Sequence, residues 1–380
     1  MFSLSTKKLE TAMFSARQLK STAALLYAGK HGVLFGTRSE AGTFLTLLTK
    51  EKQPEAAIQV EIEDLAKAIY QVKDIDVEIK PEMLRIKSKK VRSAIQLASQ
   101  VVKDETANLV LQMWDDRSNG NNAPMLARML AENKTLFSIK DHVGGKPVPV
   151  HIRWSRDGVA AGMSDMFHGV SIRTQEAPKK GDKARELFVY SSWLPLLIDY
   201  LAPPEPKEND KTQVKLEVAK LHMTETHISV SNNNSLLQLQ AIVPGADAIT
   251  LDDVAKIAGN VKAKDGIKLS MADCHAALRR STAVVPTNSA VRIMVDPSKP
   301  ERLRIEGRHD SGSKILEEVK TSRASTAMSF SCTLYNLLDI TAASIPACRL
   351  TLAGKAVLFS YDYGSKSDTV YRVDLFSATT

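Results

Sequence analysis

Eight histidines, three cysteines and 43 acidic residues are the groups in this 380-residue chain that could hold a metal or move a proton. Their spacing supports neither task. The histidines show no His-Glu-x-x-His and no paired spacing that would aim two imidazoles at one ion. Cys274, Cys332 and Cys348 are too scattered for a zinc site or a disulfide framework, and so sparse a set fits a reducing cytoplasm. His168, in Ser-Asp-Met-Phe-His-Gly-Val, and His275, beside Cys274, read as structural histidines. The stretch Asp-Asp-Arg-Ser-Asn-Gly-Asn-Asn (115–122) looks like a calcium loop but puts Arg117 where an oxygen ligand must stand. Ala-Gly-Lys-His-Gly (28–32) and Ala-Gly-Lys-Ala-Val (353–357) lack the hydroxyl residue with which a phosphate-binding loop holds magnesium. No Gly-x-Gly-x-x-Gly follows a strand, and no Gly-x-Ser-x-Gly elbow occurs. The chain therefore reads as a binding or scaffold protein, not an enzyme, with no cofactor and no metal.

The chemistry that remains is electrostatic. With 51 basic residues the net charge is +8, a bias toward a polyanionic partner, of which nucleic acid is the commonest. No apolar run reaches the ~18 residues of a membrane helix. The opening residues 1–14 place lysines after a short apolar start, which is not the order of a signal peptide. A cytoplasmic location is expected.

The elements that position these charges recur. Phe-Ser-Leu-Ser-Thr is an alternating strand, and the helix after it puts Leu9, Ala12, Met13, Ala16 and Leu19 on one face. The other face carries Lys7, Thr11, Ser15 and Gln18, with Phe14 as an intruder. Strands 24–28, 32–38 and 43–49 complete a unit of strand, helix and small antiparallel meander. The same unit is read again from 56, with helix 63–73, acidic at its start and ending in lysine as the helix dipole prefers. A third begins with strand Asn108–Met113 and helix 123–139. A fourth begins at 185 with helix 192–202, a fifth at 266 with helix 272–284, and a sixth at 327 with helix 333–344. Six half-units pair into three domains of ordinary size, 1–105, 106–246 and 247–380, with residues 249–261 as a connector. In the last hairpin of the first domain, Leu84, Ile86, Val91, Ile95 and Leu97 alternate inward. Arg85, Lys87 and Arg92 lie outward around a turn at Ser88-Lys89-Lys90.

The C-terminal third carries a resemblance. Ala-Leu-Arg-Arg-Ser, Val-Arg-Ile, a strand–turn–Gly–Glu–Glu stretch, Ser-Phe-Ser-Cys-Thr-Leu-Tyr-Asn-Leu-Leu-Asp-Ile-Thr and a Tyr-x-Val terminal strand occur in that order. This resembles the third domain of bacterial β-type DNA sliding clamps, the processivity subunit of the replicative polymerase. Residues 83–99 and 148–172 are similar to the first and middle domains, so the likeness covers nearly the whole chain. The family's Thr-Asp-Gly-His-Arg turn is replaced by Ser164, Asp165, Met166, Phe167 and His168, and the terminal strand lacks the usual proline. These departures and the net charge point to a divergent, phage-encoded member.

The resemblance implies an α+β clamp fold of three tandem domains. Two copies would close as a homodimer ring, helices lining the hole and sheets outside. Duplex DNA would be held through its phosphates, without sequence preference. The pore candidates are Lys7, Lys8, Arg17, Lys20, Lys67, Lys73, Arg128, Lys134, Arg279 and Arg280. A partner-peptide groove would use Phe167, His168, Val170, Ile242, Val243, Pro244, Val373 and Leu375. The implied partners are double-stranded DNA, the polymerase and an ATP-dependent clamp loader. A DNA-binding recombination or repair scaffold, or a virion protein of repeated modules, are the alternative readings.

Overall fold

A computed structural model describes residues 2–80, 82–88, 94–117, 121–122, 148–156, 158–164, 168–174, 183–193, 196–197, 220–244, 250–253, 266–296, 298–324, 327–342, 347–353, 356–362 and 369–375. They fall into two compact units, Met1–Pro124 with Leu196–Ala241, and Met125–Pro195 with Ile242–Thr380. The expected helix at 123–139 lies outside the described residues, as does most of that at 192–202.

The first unit runs β1 (Phe2–Ser5), α1 (Thr6–Gln18), β2 (Ala23–Gly29), β3 (Gly32–Ser39), β4 (Gly42–Thr49), β5 (Ala56–Glu61) and α2 (Ile62–Ile69). It continues with β6 (Asp74–Lys80), β7 (Met83–Ser88), β8 (Ala94–Ala98), β9 (Gln100–Val101), α3 (Asp104–Asp116) and β10 (Asn121–Asn122). Later in the chain the same unit adds β15 (Lys220–Met223), β16 (His227–Ser231) and β17 (Ser235–Gln240). One sheet has the order β1-β6-β7-β8, and the other β10-β15-β16-β17-β4-β3-β2-β5-β9.

Strand β2 is apolar throughout because both its faces are covered. Leu26 looks into the core that α1 and α2 close, beside Leu9, Leu48, Leu65, Val77 and Ile86. Leu25 and Tyr27 look the other way and pack with Leu34, Leu45 and Leu236 under α3. The Tyr27 hydroxyl donates to Glu55 at 2.9 Å. Burial first, then that carboxylate, push its pKa up to about 12.

Helix α3 corrects the sequence reading, which made a strand of Asn108–Met113. Asp104 and Glu105 favour a helix start. Ala107, Val110 and Trp114 then recur at helical spacing, and all three are buried. Four apolar residues in six fit either element, and the second apolar face of β2 decides between them. Arg117 lies over the Trp114 ring, 4.0 Å from its centroid. Asp115 meets His31 at 3.2 Å and Lys30 at 3.8 Å, where the calcium-like stretch begins. Trp114→Phe is expected to cost about 1–2 kcal/mol, from a part-filled cavity and a weaker cation–π stack. The midpoint of urea unfolding checks it.

The second unit runs β11 (Pro149–Ser155), β12 (Gly158–Ser164), β13 (His168–Thr174), β14 (Arg185–Tyr190), β18 (Ile267–Ser270), α4 (Met271–Ser281) and β19 (Ala290–Val295). Then follow β20 (Arg302–Arg308), β21 (Lys314–Lys320), β22 (Met328–Thr333), α5 (Leu334–Thr341), β23 (Ala347–Ala353), β24 (Ala356–Asp362) and β25 (Thr369–Leu375). Its sheets have the orders β14-β11-β12-β13-β25-β24-β23-β18 and β21-β20-β19-β22.

One pairing rule recurs. β1 leads into α1 yet joins β6, the meander of the next half-unit, while β5 leads into α2 and joins β2. In the same way β18 joins β23 and β22 joins β19. The two-residue β10 joins β15, and β14 joins β11. Each half-unit thus lends its leading strand to its neighbour.

Candidate nucleic-acid face and partner groove

Helices α1 and α2 are antiparallel. The α1 start is tied to the residues after α2, Thr6 N–H donating to Lys73 O at 3.1 Å. At the other end Arg17 meets Glu63 in the first turn of α2 at 2.9 Å. The apolar face of α1 is as expected: Leu9, Ala12, Met13, Ala16 and Leu19 are all buried. Ser15 is a correction. It sits inside rather than on the outer face, its hydroxyl donating to Thr11 O at 3.3 Å. Phe14 is exposed on α1, as are Tyr70 just after α2 and Tyr335 on α5.

Exposure and pairing sort the basic candidates. Lys7, Lys8, Arg17, Lys20, Lys67, Lys73, Arg279 and Arg280 are all exposed. Three are committed inside the chain. Lys8 Nζ donates to Leu48 O at 3.2 Å. Arg17 is held by Glu63, and Arg280 grips Glu317 with two bonds of 2.9 and 2.6 Å. That hydrogen-bonded guanidinium holds the Glu317 carboxyl below its usual range. Lys67 stands 3.9 Å from Asp64. Lys7, Lys20, Lys73 and Arg279 form no ion pair among the described residues. Lys20 takes the left-handed conformation (φ 57°) that closes α1. Arg128 and Lys134 lie outside the described residues.

Of the two histidines expected to be structural, the side chain of His168 lies outside the described residues, and His275 is so placed. His275 Nδ1 and Thr341 Oγ1, 2.9 Å apart, tie α4 to α5. Burial pushes the Cys274 thiol up to about 12, and Cys332 and Cys348 are buried too.

Of the groove candidates, Phe167 lies outside the described residues. The backbone places His168 opposite Asp374, Gly169 opposite Val373, and Val170 opposite Arg372, so β13 and β25 bring these positions together. Leu375 stands opposite Ala356 on β24. Ile242 pairs instead with Phe188 of β14, three strands away from β13 in the same sheet. Val243 is 96% exposed, and Pro244 is half-buried.

Beside Ile242 lies a cluster that sequence reasoning missed. His151 and Arg153 share one face of β11 by strand alternation. Arg153 makes two bonds to Asp252, of 2.7 and 2.9 Å, and one of 3.2 Å to Glu186. His151 is 2% exposed, and its ring stacks on Phe188 at 4.3 Å. Its Nδ1 accepts from Leu251 N–H at 3.1 Å. The spacing His-x-Arg inside an apolar strand was the available signal.

Among the described residues no group of three or more His, Cys, Asp or Glu could hold a metal ion. None of their helices is long and apolar enough to cross a membrane.

No family model matches the chain, and no curated protein matches it. Solved structures do. The DNA polymerase III subunit beta from Pseudomonas aeruginosa superposes with a TM-score of 0.72 at 11% identity, over 99% of both chains. The DNA polymerase sliding clamp from Bacillus subtilis gives 0.73 at 11%, over 100% of this chain and 99% of that one. The beta subunit from the DNA polymerase of Streptococcus pyogenes gives 0.73 at 10%, over 99% of both. The chain is α+β and has the fold of these clamps.

Proposed function

We propose that this chain is a DNA sliding clamp, a divergent, phage-encoded member of that class. Two copies close into a ring around duplex DNA and tether the replicative polymerase without catalysing a reaction. The observation that carries this reading is the clamp fold running end to end, with TM-scores above 0.7 against three bacterial clamp proteins. Within it, residues 1–105, 106–246 and 247–380 are the three domains. The exposed faces of α1, α2, α4 and α5 turn toward DNA. An ATP-dependent loader opens the ring in the cytoplasm, because the chain carries no phosphate-binding loop of its own. Partner peptides lie along β13 and β25, with the residues from Ile242 to Pro244 at the far side.

The closing surfaces are the free edges β8 and β21. Each ends its four-stranded sheet, and no described strand pairs with its outer side. Natural edges are guarded by charge or proline. β8, Ala-Ile-Gln-Leu-Ala, has neither, and Ile95 is 41% exposed. β21 exposes Leu316 at 52%, while its Glu317 and Glu318 are occupied by Arg280 and Arg302. Exposed lysines guard only the ends of β21, Lys314 and Lys320, so each chain offers two edges with an exposed apolar residue, which suits two joints per ring.

The test is topological. Protein loaded by its loader onto nicked circular DNA is expected to stay bound through gel filtration and to be lost once the circle is cut. Retention on the linear product would rule out a sliding ring.

A further inference from the structure

After β17, Ile242 and Leu251 are each bonded to the sheet of the second unit. Ile242 N–H donates to Phe188 O at 2.8 Å, and Leu251 N–H donates to His151 Nδ1. The two receiving residues are stacked on one another, so the anchors share one support. Leu251 begins a helical turn whose preceding residue, Thr250, is locked to Asp253 by bonds of 3.0 and 2.8 Å. An N–H at a helix start has no partner within the helix, and here the imidazole supplies it.

That bond exists only while His151 is neutral, because a protonated ring carries hydrogen on both nitrogens and accepts nothing. The groups facing the ring are Arg153 on its own strand, Glu186 on β14, and Asp252 on the turn, with Asp253 turned to Thr250. Glu186 lies 3.5 Å from Nε2, too long for a good hydrogen bond, and Arg153 already engages both carboxylates.

We propose that His151 is a positioning residue that holds the turn at Leu251–Asp253 only in its uncharged form, so that acid releases this turn beside the Ile242–Pro244 side of the partner groove. The groove role rests on the clamp reading; the two anchors do not.

The direction follows from the surroundings. Burial, and then Arg153, lower the pKa of His151 below its ordinary 6.5. A lowered basic group takes up fewer protons folded than unfolded. Its contribution is complete above about pH 6.5 and is lost as pH falls through the folded value.

Hydrogen exchange of the full-length chain at several pH values between 5 and 8, corrected for intrinsic rates, tests this without DNA or a partner. The amides of Leu251, Asp252 and Asp253 are expected to lose at least tenfold in protection from pH 7.5 to 5, while those of β19 to β22 keep theirs. His151→Asn retains an acceptor that does not titrate and should hold the protection flat; His151→Gln serves where Asn does not fold. Equal loss in wild type and variant, loss in neither, or loss spread over the whole unit overturns the proposal. Failure of the clamp reading would appear separately, as DNA retention unaffected by linearisation.

Discussion

Replacing Ile95 with aspartate is expected to convert a dimer of twice 41.7 kDa into a folded monomer. Ile95 stands opposite Ile86 on β7, so its side chain shares the face that Ile86 buries, yet it remains 41% exposed. The sequence reading placed Ile95 and Leu97 inside; the structure leaves the first exposed and the second half-buried. The facing was right, but at the end of the sheet the cover runs out. A second copy supplies that cover in the proposed ring. A carboxylate there would be buried without a partner, at a cost of several kcal/mol for each joint. About 3 kcal/mol already weakens association more than a hundredfold. Leu316→Asp on β21 should do the same from the other side. Light scattering at micromolar concentration reads the mass, and an unchanged thermal melt confirms the fold. A dimer that survives both substitutions would place the joint elsewhere.

The second large effect concerns DNA. Changing Lys7, Lys20, Lys73 and Arg279 together to glutamine should lower affinity for duplex DNA by more than tenfold. It should also flatten the salt dependence by about 0.9 in log–log slope for each phosphate that is no longer neutralised. Changing Arg17 and Arg280 should do much less, because Glu63 and Glu317 already hold them and each removal also frees a carboxylate. Fluorescence anisotropy with a short duplex over 50 to 200 mM salt, the range where counterion release is plain, separates the two sets. Equal slopes for both variants would mean that these helices do not face the phosphates.

The periodicity of the first and third parts of the sequence was legible because each helix there has one buried face and strands such as β1, β19, β20 and β22 alternate. Leu9 through Leu19 behaved as a wheel predicts. Ser15 did not, since a serine can satisfy itself on the preceding turn and so enter a core at little cost. The third half-unit was misread where the signal is weakest. Asn108–Met113 alternates poorly and is too short to choose, and only the second apolar face of β2, which α3 buries, called for a helix. Leu25 and Tyr27 showed that face in the sequence, but an apolar strand alone does not say what covers it. The His151 cluster was hidden for a different reason: Arg153 and Asp252 are 99 residues apart, and no local pattern links them.

The joining of β4 to β17 sets a schedule for synthesis. Thr46 and Asn234, bonded across that edge, are 188 residues apart. At about 5–20 residues per second, β4 waits roughly 10–40 seconds on the ribosome for the strand that completes its sheet. Through that interval Gly-Thr-Phe-Leu-Thr-Leu-Leu-Thr, with no charge and no proline, is an open template for any other extended chain. β13 waits as long for β25, since His168 pairs with Asp374. Nascent chains that stall between residues 50 and 230 should therefore be the ones that aggregate, and holding factors should matter most there.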